Sequence, residues 1–215
     1  RGRDFAIILS CLYRLGYSVE WHVINAADYG MPQRRRRVYI YAEHNASKWD
    51  LEERLFRTGV EARAFPIAQD ERFGTENFSI SKDPYKSTKE FGLGDKISRF
   101  KEAGVMQNGK VLTRRVKPVY DGPYRTLGEI LVPINQVPEE FFITGENLKS
   151  WEYLKGGKRE ARTARNGHEY IYSEGPVAFP DPLDKPSRTI LTGEDGRGAS
   201  RTKHVVLQNG RLRRL

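Results

Sequence analysis

The chain has 215 residues, enough for one or two domains. Its 37 Lys and Arg against 28 Asp and Glu give a net charge of +9, which favours a polyanionic partner, nucleic acid first. No apolar run is longer than Phe5–Leu9, so no membrane-spanning helix is expected, and the lone Cys11 excludes an intramolecular disulfide and a cysteine-based zinc cage. A reducing, cytoplasmic interior fits best. The start Arg-Gly-Arg-Asp, without Met or a signal-peptide pattern, reads as that of a fragment of a longer protein.

Phe5, Ile8, Leu9, Leu12 and Leu15 follow helical spacing, with Asp4 as N-cap and Gly16 as the stop. Cys11 falls at the edge of that stripe and is expected to be a small buried hydrophobe. Tyr17–Asn25 alternates, placing Tyr17, Val19, Trp21 and Val23 on one face and Ser18, Glu20, His22 and Ile24 on the other. A loop over residues 26–32 leads to a second strand at residues 37–42. Helix, strand, loop and strand suggest the end of an α/β sheet closing in a hairpin. After Ala42 the texture changes, which puts a boundary near residues 43–46. One helical stretch is expected at Lys48–Arg57, and residues 75–115 show no regular apolar period and read as loop-rich. Thr126 and Glu129 have capping-box spacing for a short helix. Further short helices are expected near Val137 and over Leu148–Leu154, then short strands at Thr189–Thr192 and His204–Leu207.

The run Gly30-Met-Pro-Gln-Arg-Arg-Arg-Arg-Val-Tyr-Ile resembles the Gln-x-Arg-x-Arg motif of DNA cytosine-5 methyltransferases. The lead-in, Leu15-Gly16-Tyr17-x-Val19 and then Asn25-Ala26-x-Asp28-Tyr29-Gly30-x-Pro32-Gln33, is similar to that family too. About 150 residues on, Pro186-Ser-Arg-Thr-Ile-Leu-Thr192 and the glycine-rich stretch after it resemble the end of the family's target-recognition domain, and Gln208–Leu215 resembles the opening of its next conserved block. The family's Phe-x-Gly-x-Gly loop for S-adenosyl-methionine, its Pro-Cys-Gln nucleophile element and its Glu-Asn-Val element do not occur in these 215 residues. The resemblance therefore implies a C-terminal piece. Residues 1–45 would be the last elements of a Rossmann-like methyltransferase sheet, a helix plus a β-hairpin. Residues 46–210 would be a small mixed α/β target-recognition domain, and residues 211–215 the start of the next motif.

In the chemistry that the resemblance implies, a thiolate adds to carbon 6 of a flipped cytosine and a glutamic acid protonates the ring nitrogen. Carbon 5 then attacks the methyl of S-adenosyl-methionine. Arginine suits the flipped base and its flanking phosphates, being planar, permanently charged and multidentate. Gln33, Arg35 and Arg37 fall on the motif positions, and a strand would turn all three to one wall. Arg37 is assigned to the cytosine, Arg35 to phosphate and support, and Gln33 to holding the loop. Arg34 and Arg36 would face elsewhere and add charge. Without the flanking residues, the four arginines would read as a solvated basic run.

Residues 185–215 carry eight Lys and Arg against Glu194 and Asp195. Thr189–Thr192 is expected to run as a strand into a flexible glycine loop, Gly193–Ser200. There Arg197 and Arg201 would read guanine edges, with Arg188, Thr189, Thr192 and Ser200 also on DNA. A charged surface loop is the plainer reading, and no Gly-Lys-Ser/Thr ends the stretch as in a phosphate-binding loop. Lys149–Arg165, interleaved with Trp151 and Tyr153, is a third basic segment, as readily a solvated face as a phosphate contact. The four histidines lack metal-ligand spacing, and Asp181 and Asp184, among prolines, read as turn residues. The expected partners are duplex DNA and the missing catalytic half of the same protein. The expected role is site recognition in a restriction-modification methyltransferase. The alternatives are a non-catalytic DNA-binding module or half of a split enzyme; RNA binding is the weakest reading, with no ribonucleoprotein, KH or zinc-knuckle motif.

Overall fold

The computed structural model describes residues 2–194 and 196–215; Asp195, counted above in the basic C-terminal segment, lies outside the described residues, as does Arg1. Two compact units are present, one from Arg1–Gly30 and Arg35–Tyr124, the other from Met31–Arg34 and Arg125–Leu215.

The N-terminal unit holds α1 (Arg3–Arg14), β1 (Tyr17–Asn25), β2 (Arg36–His44), α2 (Leu51–Glu53), α3 (Val60–Ala64), β3 (Ile67–Gln69), β4 (Glu76–Ser79), α4 (Pro84–Glu90), β5 (Ala103–Gln107), β6 (Lys110–Arg114) and β7 (Val116–Pro118). The expected helix and hairpin are there. β1 and β2 pair antiparallel from Tyr17↔His44 to Asn25↔Arg36. The N-cap falls two residues earlier than expected, at Gly2, and Asp4 sits in the first turn of the helix. There a carboxylate still opposes the helix dipole favourably. Gly16 does follow the last turn, its N–H bonding Tyr13 O at 3.0 Å. Cys11 is exposed rather than buried, because the buried face of α1 centres on Ala6, Leu9 and Ser10.

β1 is not the end of the sheet. Five antiparallel strands run in the order β2-β1-β5-β6-β4, so the region expected to be loop-rich supplies three of them. β5 carries no alternation because all five of its residues are buried, covered on both faces. The turn between β5 and β6 is Asn108-Gly109, with Asn108 at φ 51°, the conformation that a tight hairpin demands and an Asn-Gly pair supplies. The break expected near residues 43–46 falls inside this unit. Past it, the Gln107 side chain accepts from Trp49 N at 2.8 Å and donates to Ser18 Oγ at 3.0 Å.

One face of the sheet packs on α1 through Leu9, Val19, Trp21, Ile80, Met106 and Val111. Trp21 lies over Gly104, where any Cβ would collide with the indole, and meets Phe5 edge-on at 5.2 Å. On the other face Ala103, Val105 and Leu112 pack against Leu55 of the segment that contains α2, a π-helical turn at Arg54–Thr58, and α3. The polar side of β1 is therefore also buried. Glu20 is only 2% exposed. Arg54 Nε meets it at 2.5 Å and Glu61 N donates to it at 3.0 Å. β2 forms an open edge with Val38, Tyr39 and Ile40 exposed.

The C-terminal unit holds α5 (Gly145–Lys155), β8 (Lys158–Thr163), β9 (Glu169–Glu174), β10 (Val205–Gln208) and β11 (Arg211–Arg214), with 3-10 turns between residues 128 and 141. The helix expected after Thr126 is one such turn, although Glu129 does accept from Thr126 N at 2.8 Å. No strand forms at 189–192. Backbone bonds of Ser187 and the Thr189 hydroxyl go to residues 32–34, and Leu191 N is capped by Glu194 at 2.8 Å, which turns the chain. β10 matches the second expected strand. It pairs through an Asn209-Gly210 turn with β11, so the C-terminal run closes a hairpin.

Candidate nucleic-acid interface

The arginine segment is divided between the two units, Arg34 ending one part and Arg35 beginning the other. In the N-terminal unit, β1 runs into a turn over Ala26–Tyr29, and Asn25 Nδ2 donates to Asp28 Oδ1 at 2.9 Å. The Tyr29 hydroxyl donates to Pro66 O at 3.1 Å, and its ring meets Phe65 and Tyr120 edge-on. Burial, then the nearby Asp28 and Tyr124, push Tyr29 up to about 12, so it stays a neutral phenol. Gly30 sits at φ +81°, where a Cβ would run into Pro123 O and Tyr120 Oη at 2.5 and 2.6 Å. Ala26 N donates to Arg35 O at 3.1 Å, which pins the backbone of Arg35 at the entry to β2.

β2 begins only at Arg36, so the single strand expected to align Gln33, Arg35 and Arg37 does not exist. Arg35 and Arg37 are exposed. The only side-chain bond of Arg37 among the described residues is to the neighbouring carbonyl of Arg36, at 2.9 Å, and Arg35 makes none. Neither guanidinium meets an acidic partner among the described residues, and that of Arg35 makes no side-chain bond there.

Gln33 belongs to the C-terminal unit. It forms a parallel bridge with Ser187. Arg34 N donates to Ser187 O and Ser187 N to Pro32 O, each at 2.8 Å. The Thr189 hydroxyl donates to Arg34 O at 2.6 Å. The two sequence motifs, about 150 residues apart, are thus stitched together, and Thr189 is the threonine that does it.

The remaining expected contacts behave differently. Arg188 is locked inward: Nε and Nη2 clasp Asp181 at 2.7 and 3.2 Å, and further bonds reach Thr202 O and Lys203 O. Asp181 is a buried anchor rather than a turn residue. Burial works against its charge, but Arg188 and Val205 N–H hold it below the usual carboxylate range. Arg201 is likewise engaged, with Glu174 at 2.9 Å and with the carbonyls of Leu154, Gly156 and Gly175. Arg197 is 81% exposed but paired with Glu140 at 2.5 Å. Ser200 Oγ is 3.1 Å from Thr202 Oγ1, and Thr192 is exposed.

The glycine stretch, expected to be flexible, is clamped. Lys203 Nζ donates to Gly196 O and Gly198 O at 3.0 and 2.8 Å, and Arg214 Nη1 to Gly196 O at 2.5 Å. Buried Lys155 donates to Arg201 O at 3.0 Å and to Lys203 O; burial, then Arg188, pull its amine down to about 8. Buried His204 bonds Glu194 through Nδ1 at 2.6 Å. These holding residues carry no local signal in the sequence, since a lysine that caps carbonyls looks like any surface lysine until the chain is folded. Among the described residues no His, Cys, Asp and Glu group could hold a metal ion, and no helix is long and apolar enough to cross a membrane.

The chain is α/β, with exposed arginines at the entry to β2. Residues 1–214 match the model of the C-5 cytosine-specific DNA methylase family, and the chain belongs to that family. Over 226 aligned residues it is 39% identical to the Type II methyltransferase M.Sau3AI of Staphylococcus aureus, covering 100% of this chain and 52% of that protein. Over 39 residues it is 51% identical to the Type II methyltransferase M.NlaIV of Neisseria lactamica, 18% of this chain and 9% of that protein. A stretch of the same length is 51% identical to M.NgoBI of Neisseria gonorrhoeae. The chain spans about half the length of the Staphylococcus aureus protein that it matches along its whole length. No solved structure matches it.

Proposed function

We propose that this chain is the target-recognition part of a sequence-specific DNA cytosine-5 methyltransferase of a restriction-modification system, acting in the cytoplasm on duplex DNA. The observation that carries the reading is the pair Arg35 and Arg37, exposed and free of acidic partners on a backbone pinned by Ala26 and by the β1–β2 register. Such donors need break no ion pair when an anionic or carbonyl-bearing ligand arrives. Arg37 grips the flipped cytosine and Arg35 a flanking phosphate, while Gln33 and Thr189 hold the segment. Residues 1–45 supply the end of the catalytic domain, its sheet extended by β4, β5 and β6 of the same unit, and the C-terminal unit serves recognition, with β11 leading into the next family motif.

Family membership implies S-adenosyl-methionine as methyl donor. The described residues do not fit it: the five-stranded sheet is antiparallel throughout, and no strand feeds a glycine-rich turn into a helix. The carbonyls of Gly196 and Gly198 are already taken by Lys203. The donor and the nucleophile are therefore assigned to a catalytic half outside these residues. This chain alone binds DNA and transfers no methyl group.

Two measurements test this. Incubation with labelled S-adenosyl-methionine and mixed-sequence duplex should leave DNA unmodified, and robust cytosine methylation by the chain alone would overturn the division of labour. Duplex binding should weaken steeply with salt, log K falling by about 0.9 per phosphate contact for each tenfold rise in salt. In the complete enzyme, Arg37→Ala should abolish most turnover while leaving duplex affinity nearly intact.

A further inference from the structure

The hairpin β8–β9 has one face anchored and one face free. Its register sets Lys158, Glu160 and Arg162 beside Glu174, Tyr172 and Tyr170 on one side, and Arg159, Ala161 and Thr163 beside Ser173, Ile171 and Glu169 on the other. The charged side chains of the first side are paired, although Arg162 and Tyr170 toward the tip are exposed. Lys158 pairs with Glu174 at 3.4 Å, and the Tyr153 hydroxyl donates to Glu160 at 3.1 Å. Arg162 meets Glu160 at 3.0 Å and lies 3.7 Å over the Tyr172 ring. On the second side, among the described residues, no hydrogen bond or ion pair takes up the side chains of Arg159, Thr163 or Glu169, nor that of Arg165 at the tip. Residues 161–163 and 165–171 are all exposed, Ile171 by 60%. The tip is nonetheless ordered, with Ala164 N bonding His168 O at 2.8 Å and Gly167 N bonding Ala164 O at 2.9 Å.

An isolated two-stranded ribbon is marginal in water. This one is tied to the rest of its unit by Tyr153 on Glu160 and by Arg201 on Glu174. Arg197 and Arg201, expected from the sequence to read bases, are engaged elsewhere, Arg201 by Glu174 and carbonyls, Arg197 by Glu140. A two-stranded ribbon is of the size that the DNA major groove admits. There arginine bonds guanine O6 and N7, a carboxylate accepts from the cytosine amine, and an apolar side chain meets the thymine methyl. Glu169 argues for the groove over the backbone, since a carboxylate laid against phosphates is repelled.

We propose that the free face of β8–β9 reads base edges in the major groove, with Arg159 and Arg165 as donors and Glu169 as acceptor, and that it determines the sequence specificity of the recognition function above. The inference rests on that function.

The test is selection of the 215-residue chain on a random duplex library at fixed salt, for the wild type and for Arg159→Ala, Arg159→Lys, Arg165→Ala, Glu169→Gln and Arg197→Ala. The wild type should enrich one short motif. Each ribbon variant should lose about 5- to 150-fold discrimination at one base pair, as expected for one base contact. Random-duplex affinity should fall by no more than one phosphate contact. Arg159→Lys keeps the charge and loses the fork, so it too should relax the motif. Arg197→Ala should keep it. Ribbon variants that enrich the wild-type motif with undiminished discrimination overturn the ribbon assignment alone. A wild type that binds duplex but enriches nothing overturns the recognition reading itself.

Discussion

The two units are held together by different physics. The N-terminal unit has two apolar clusters on either side of its sheet, and two of its buried carboxylates meet cations, Glu20 with Arg54 and Asp70 with Arg72 and Lys117. In the C-terminal unit the buried apolar residues are Leu127, Trp151, Val205 and Val206, outnumbered by Lys155, Asp181, Ser187, Lys203, His204, Arg213 and Arg214. There the cations bond carbonyls and carboxylates and so shape the loops. Burying apolar surface fixes a sheet but says little about loop paths, whereas directional bonds to carbonyls set a path at the cost of desolvating charge. The unit whose loops must hold a defined shape is the one built on such bonds.

The comparison breaks most visibly at Trp21. Trp21→Ala should destabilise the N-terminal unit by about 3–5 kcal/mol, read from denaturant unfolding, because the indole fills the space over Gly104 and between Phe5 and Phe100. The matching break in the other unit is Asp181→Ala. It leaves Arg188 without its clasp and should cost about 2–3 kcal/mol. Hydrogen exchange should then show amides of residues 177–215 opening while those of β1 and β5 stay protected; loss of protection in both alike would mean that the units are not energetically distinct.

Acid and base should separate two groups inside the N-terminal unit. Burial pulls His22 down to about 4, so the folded state binds fewer protons than the unfolded one between pH 4 and about 6.5, and stability contributed by keeping it neutral falls as pH drops through that window. Burial, then Glu20, push Glu61 up to about 7, so the folded state binds more protons between about pH 4.5 and 7, and stability falls as pH rises. The two slopes oppose each other. Glu61→Gln should expose a stability that rises from pH 4.5 to 6.5, and His22→Gln one that declines over the same range. Flat profiles in both variants would show that neither group is shifted by the fold.

The smallest expected effect is on stability at the proposed interface. Arg35→Ala, Arg37→Ala and Arg165→Ala remove exposed side chains with no acidic partner and should shift unfolding by no more than about 0.5 kcal/mol. Larger losses would mean that these arginines serve the fold.

Local signals in the sequence determined α1, the β1–β2 hairpin and the family motifs, because helical spacing, strand alternation and the spacing of Gln33, Arg35 and Arg37 are short-range patterns. The Asn108-Gly109 and Asn209-Gly210 turns were equally local and mark hairpins that an apolar period alone does not reveal, since β5 is buried on both faces and shows no alternation. Only the tertiary structure decided which charges are free. Arg188 and Arg37 are the same residue in similarly basic stretches, yet one closes on buried Asp181 and the other meets solvent. A guanidinium spends its donors on whatever acceptors the fold brings within about 3 Å. Those acceptors come from residues far apart in the chain, such as Glu140 for Arg214 or Leu154 for Arg201, which no window of sequence places side by side.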